Sequence, residues 1–310
     1  LMATQHPDNA NIPFWGKEAL ITTKMETEEI YQNFSALDCD EYMWDWEGKF
    51  VDEAVVEKLF QKYYKFFKRH SLGKDIFLTF RIPNTDEESG YRLARAFMAI
   101  LTADDLAQEL GLHAPPVFEV ILPMTRTSDQ LLRIKKTFHE VEQFKKQSFK
   151  TKRKGQHEFH VIPLFEGCQH LCSVDKVLSG YIEGCKSMFG KKPPYMRPFM
   201  ARSDPALNSG IIPAVLSNKV ALQKFSEVAK KYKVPMYPII GPGCLPFRGG
   251  VNPETIKDTI EEYSGVRTIT IQSSFRYDYP LDDVKKAIRL IERKLPEMKF
   301  TPLTKKDVED

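Results

Sequence analysis

The ten residues FHVIPLFEGC, Phe159 to Cys168, decide how this chain is read. A short apolar run of strand length, Phe159–Phe165, is followed at once by a carboxylate, Glu166, and a glycine. Beyond it, Ser173–Met188 is amphipathic and opens on a capping serine, so strand gives way to helix. Working outward, the same alternation repeats. Short apolar runs lie at Glu41–Trp46, Ile76–Arg81, Val117–Pro123, Tyr195–Ala201, Met236–Ile240 and Thr268–Gln272. Amphipathic stretches lie at Asp52–His70, Asp86–Leu110, Ser128–Phe149, Ile212–Tyr232, Pro253–Tyr263 and Leu281–Leu295. Their apolar residues recur every three or four positions, as in Val55, Leu59 and Tyr63. Seven strand-then-helix units in a row imply parallel strands joined by helical crossovers. A barrel or an open doubly wound sheet satisfies that order, and seven units are one short of a closed eight-stranded barrel.

Composition narrows the function classes. The 310 residues carry 45 Lys+Arg against 42 Asp+Glu, a net charge of +3, which gives no electrostatic footprint for nucleic acid. Hydrophobic residues at 42% and aromatics at 12% suffice for a buried core, which argues against disorder. The longest nearly uncharged apolar run, Val234–Phe247, holds four prolines and is shorter than the roughly 20 residues a bilayer needs, so no membrane partner is expected. The N-terminus lacks the pattern of a signal peptide, and five cysteines suit a reducing compartment, so a cytoplasmic location is expected. No GxGxxG follows the first strand, which weakens a dinucleotide reading.

In α/β folds chemistry gathers where strands end. Arg81 closes the second predicted strand, and Glu166 follows the fourth. The fifth is followed by Arg202-Ser203-Asp204, and the sixth by a glycine loop that ends Arg248-Gly249-Gly250. Gln272 ends the seventh, with Arg276 close behind. Two carboxylates from neighbouring strands, Glu166 and Asp204, suit a hard cation such as magnesium or manganese. Several arginines on one rim suit a phosphate or a multiply charged carboxylate. The bare backbone of the glycine loop lets an anion approach closely. His6, beside a rigid proline in a segment too polar for a core, is a general acid–base candidate.

Taken in order, the motifs resemble phosphoenolpyruvate carboxylase, most closely its shorter archaeal-type form. The stretches that carry the resemblance begin with TQHPDNANIPFW (4–15), DEYMWDWEGKFVDE (40–53), FRIPN (80–84) and VILPMT (120–125). They continue with HVIPLFE (160–166), MRPFMARSDPALNSG (196–210), IIGPGCLPFRGG (239–250) and TIQSSFRYDY (270–279). The resemblance implies carboxylation of phosphoenolpyruvate by bicarbonate to oxaloacetate and phosphate, a carboxy-lyase reaction using Mg2+ or Mn2+. By the same resemblance Glu166 and Asp204 would hold the metal, and Arg81 and Arg248 would neutralise the moving phosphate. His6 would handle the proton, with Arg202, Gly249, Gly250, Gln272 and Arg276 on the substrate side. The family forms homo-oligomers, and a homotetramer is the analogy. Long-form relatives carry lysine and aspartate where this chain has Leu207 and Asn208, and two Arg-Gly-Gly repeats where it has one; Arg202 or Arg276 would supply the missing charge.

The reading taken forward is an α/β, TIM-type (β/α) barrel with seven units visible. Residues 1–310 are expected to form one catalytic domain, with segment 1–38 contributing to the site. Family members run longer at the C-terminus, so the eighth unit is expected beyond Asp310. The alternatives are another metal-dependent barrel lyase or aldolase acting on pyruvate or enolpyruvate, and a truncated portion that binds ligand without turnover.

Overall fold

The protein is described by a computed structural model over residues 1–4, 11–46, 51–149 and 155–303. Eight strands follow one another along the chain: β1 (Met2–Thr4), β2 (Glu41–Asp45), β3 (Phe77–Arg81) and β4 (Glu119–Leu122), then β5 (His160–Phe165), β6 (Phe199–Ala201), β7 (Ile239–Gly241) and β8 (Thr268–Ile271). They form a closed barrel in sequence order, with β8 returning to β1. The paired strands run parallel, as at Asp45 opposite Arg81, Phe165 opposite Met200 and Ala201 opposite Gly241. Strands covered on both faces are mostly apolar, which explains their apolar runs; polar exceptions such as Glu41, Asp45, Thr79 and Glu119 are themselves buried. β2, β4 and β8 are buried along their whole length.

The count of seven units is corrected by β1. The strand that closes the barrel is the first in the chain, where Met2 pairs with Thr270 and Ala3 with Ile271. Three residues, Met-Ala-Thr, carry too little pattern for a periodicity reading to register. The barrel closes without an eighth unit beyond Asp310. The seven strands expected from sequence stand where they were placed, four of them shorter by one residue, while Val117–Pro123 narrows to Glu119–Leu122 and Met236–Ile240 shifts to Ile239–Gly241. Tyr195–Ala201 is trimmed most, to Phe199–Ala201, because Pro198 has no N–H for the ladder.

Two compact units divide the chain. Leu1–Ala19, Met124–Leu132 and Ile162–Asp310 form the first; Leu20–Pro123 and Arg133–Val161 form the second. In the first, helix Leu281–Lys294 buries Val284, Ala287, Ile288 and Ile291, a stripe at three- and four-residue spacing. In the second, Phe97, Phe138 and Phe159 pack together, the last two stacked at 3.7 Å between ring centroids. Short helices that the sequence reading did not separate follow three of the strands: Cys168–Leu171, Ser203–Ser209 and Ser273–Tyr277. All three start within three residues of a strand's C-terminal end, in the first unit.

Candidate active site

After β5, Glu166 is half-buried, and its Oε2 accepts the backbone N–H of Met124 at 2.5 Å. Met124 has a left-handed backbone, φ +49°, which costs a non-glycine residue on the order of 1 kcal/mol. That strained turn aims its N–H at the carboxylate. After the neighbouring β6, Ser203 and Asp204 begin helix Ser203–Ser209, with Asp204 exposed in its first turn. Two carboxylates thus follow adjacent strands, as the sequence suggested. Leu207, one turn further on, is 72% exposed.

After β7 the chain makes a self-bonded loop, Gly241 to Val251. Gly243 donates its N–H to Arg248 O at 2.8 Å, and Val251 donates to Gly243 O at 3.0 Å. Pro246–Arg248 forms one turn of 3-10 helix, and Gly250 N–H reaches Leu245 O at 2.9 Å. A Cβ on Gly243 would lie 2.8 Å from Arg248 Cβ and 3.1 Å from both Arg248 Nε and Gln272 Oε1. Arg248 and Gln272 therefore converge on one bare stretch of backbone. Gln272 Oε1 is buried and meets no hydrogen-bond donor among the described residues.

Two arginines assigned to substrate by sequence reasoning are found inside the protein. Arg202 is 4% exposed; its Nε donates to Tyr263 Oη at 3.0 Å and its Nη1 to Phe247 O at 3.1 Å. Burial pushes the Tyr263 hydroxyl up to about 12, against the pull of Arg202, so it remains a neutral phenol. Arg276 is 1% exposed; Nη2 donates to Thr4 O at 2.6 Å, Nη1 to Tyr277 Oη at 3.1 Å and Nε to Gln272 O at 3.3 Å. Trp15 and Phe14 pack on Tyr277, and Asn11 donates its backbone N–H to Asp278 Oδ1 at 2.9 Å. The stretch 272–278 thus grips Thr4 on one side and Asn11–Trp15 on the other. His6 lies outside the described residues.

In the second unit, Arg81 at the end of β3 is held by Asp45 at the end of β2. Nε donates to Asp45 Oδ1 at 3.0 Å and Nη2 to Oδ2, a bidentate fork. Sequence reasoning missed Asp45 because it ran the strand on to Trp46, one residue too far. It also missed Met124, Tyr263 and Tyr277, whose roles depend on packing that no spacing announces.

A family model described as phosphoenolpyruvate carboxylase matches residues 1–309. The chain belongs to the phosphoenolpyruvate carboxylase family. Proteins named phosphoenolpyruvate carboxylase from Oenococcus oeni, Caldivirga maquilingensis and Pyrococcus horikoshii are 43%, 42% and 41% identical over 93%, 95% and 95% of this chain. The match covers 58%, 59% and 64% of those proteins, so the chain spans about three-fifths of the length of these relatives. Among solved structures, a HpcH/Hpal aldolase/citrate lyase family protein from Burkholderia cenocepacia overlaps 96% of this chain and 93% of that one, at 12% identity and a TM-score of 0.47. The barrel rests on the strand order, not on that distant likeness.

The donor set fits a hard divalent cation. No group of three His, Cys, Asp or Glu side chains stands ready for a metal among the described residues. Magnesium and manganese need no such cage, since one or two carboxylates with water and substrate oxygens complete their shell. Glu166 after β5 and Asp204 after β6 carry carboxylate oxygens, the donor type such an ion would take. Among the described residues, no helix is long and apolar enough to cross a membrane.

Proposed function

We propose that this chain carries the carboxylation site of a phosphoenolpyruvate carboxylase, converting phosphoenolpyruvate and bicarbonate to oxaloacetate and phosphate. The observation that carries the reading is the family match across residues 1–309, joined to carboxylates, arginine and bare glycine backbone at successive strand ends. In the reaction a bicarbonate oxygen attacks phosphorus and the bond to the enol oxygen breaks. Carboxyphosphate and the enolate of pyruvate result. Carboxyphosphate then releases carbon dioxide and phosphate, and the enolate carbon attacks carbon dioxide.

Each residue has a part in that sequence. Arg248, in the loop after β7, faces the phosphate and neutralises charge as it moves between oxygens. Arg81, oriented by Asp45, is assigned a second phosphate contact by the family resemblance. Gly249 and Gly250 keep the loop bare enough for the anion to approach backbone N–H groups. Gln272 presents a carboxamide beside Arg248, suited to a hydrogen-bonding oxygen of substrate. His6 takes the bicarbonate proton as carboxyphosphate breaks down and returns it to phosphate. Mg2+ or Mn2+ held by Glu166 and Asp204 would neutralise negative charge on the enolate and phosphate oxygens. The homotetramer and the cytoplasmic location rest on the family resemblance and composition.

Calorimetry tests the site directly. Phosphoenolpyruvate binding is expected to depend on Mn2+ and to weaken about tenfold or more in Glu166→Gln. Arg248→Gln removes a cation that acts on charge developing as the phosphate moves, so it is expected to bind within about twofold of the parent and to lose turnover. Binding that ignores metal and Glu166→Gln would remove the site. One observation favours a second reading, that of a portion which binds but does not turn over: the chain spans 58–64% of the relatives' lengths. Metal-dependent binding with no turnover would select it.

A further inference from the structure

Arg202 sits beneath the loop that carries Arg248. We propose that Arg202, together with Tyr263, is a positioning residue that fixes the loop Gly241–Val251 and so aims Arg248, and that it makes no contact with substrate. This deepens the proposed function and rests on the reading of Arg248 as the phosphate-facing cation.

The geometry comes from contacts on both flanks of Arg248. On one side, Arg202 Nη1 donates to the carbonyl of Phe247 at 3.1 Å. On the other, its Cγ lies 3.4 Å from where a Cβ on Gly249 would be, and Pro242 Cβ lies 2.8 Å from the same point. Gly249 has φ +130°, so it is glycine for both conformation and space. Arg248 itself is tied by its carbonyl, which accepts Gly243 N–H at 2.8 Å and the Ser203 hydroxyl at 3.4 Å. One buried guanidinium thereby braces the peptide before Arg248 while its stem packs against the glycine after it.

Tyr263 completes the brace. It is 1% exposed and follows helix Ile256–Glu262, and its hydroxyl accepts from Arg202 Nε at 3.0 Å. Arg202 is 4% exposed, with its Nε and Nη1 spent on protein acceptors 16 residues apart in the chain, Phe247 and Tyr263. The guanidinium presents Nε and Nη1 at separate points of a rigid plane, one to each acceptor. A lysine would have to reach both acceptors from a single nitrogen, without the fixed plane that holds the two bonds apart. The arginine that sequence reasoning gave to the substrate is thus committed to the loop.

The test uses Tyr263→Phe, Arg202→Lys and Arg202→Met, each alone and with Arg248→Gln. Positioning through Arg248 predicts that all three lower kcat about tenfold while KM for phosphoenolpyruvate stays within about twofold. In the Arg248→Gln background they should cause little further loss, because the residue they aim is gone. A substrate contact predicts the reverse: KM raised about tenfold by Arg202→Met, no effect of Tyr263→Phe, and losses that add to those of Arg248→Gln. That outcome overturns the proposal. Hydrogen exchange supplies a readout that needs no turnover. The amides of Gly243, Gly250 and Val251 are expected to exchange about tenfold faster in Arg202→Met and Tyr263→Phe, with the strands unaffected. Unchanged exchange there, in a folded variant, also overturns the brace. A parent chain without carboxylation but with this exchange response would sink the proposed function alone.

Discussion

A methyl group on Gly243 would meet Arg248 and Gln272 together, at 2.8 and 3.1 Å. The 2.8 Å approach is closer than real Cβ atoms come, so Gly243→Ala must shift Arg248, and Gln272 at 3.1 Å must give way slightly. Expected is a loss of about tenfold or more in kcat/KM with a small change in thermal stability, read from steady-state kinetics and a melting curve. Unchanged kinetics would mean that the convergence of Arg248 and Gln272 has no functional weight. The residues that make this loop were legible because glycine, proline and arginine are conspicuous at a strand end. What was not legible is which arginine faces outward. Arg202, Arg248 and Arg276 look alike in sequence; burial at 4% and 1% separates Arg202 and Arg276 from the half-buried Arg248. Asp45, Tyr263 and Tyr277 escaped notice because each acts on a partner distant in sequence.

At the scale of the element, helix Ser128–Ser148 carries a buried carboxylate far from the glycine loop in sequence. Glu142 accepts from Lys146 Nζ at 2.7 Å and from the backbone N–H of His157 at 2.6 Å, with His139 Nδ1 at 3.5 Å. Burial alone would push its carboxyl up, but the bonds from His139, Lys146 and His157 outweigh it and hold it at about 2. A carboxylate depressed in the folded state stabilises the fold above its unfolded value of 4.5, and that stability drains away as pH falls toward about 2. The linked difference is on the order of 3 kcal/mol. Urea unfolding at pH 7 and pH 3 should show the parent losing stability on acidification and Glu142→Gln, already weaker at pH 7, losing much less. Equal acid sensitivity in both proteins would remove Glu142 as the cause. The long amphipathic helices were readable because their apolar stripe repeats over several turns. The helices of four to seven residues after β5, β6 and β8 were not, since one turn offers no period to detect.

For the whole molecule, closure of the barrel depends on its least conspicuous strand. β1 has three residues, all buried, and its ladder to β8 completes the ring. Seven strands were visible as apolar runs because parallel strands covered on both faces are mostly apolar. The eighth shows itself only through its partner. Balanced overall charge conceals a rim where opposite charges are sorted: carboxylates after β5 and β6, arginine after β7. That sorting is what the proposed chemistry requires, and turnover tests it most directly. With phosphoenolpyruvate, bicarbonate and Mg2+, the 310-residue chain should form oxaloacetate and phosphate in equal amounts, followed by coupled reduction of the oxaloacetate, with no product when bicarbonate is withheld. Phosphate release with pyruvate as the only carbon product, or no product from a chain shown to bind phosphoenolpyruvate, would contradict the assignment of a working carboxylation site to this barrel.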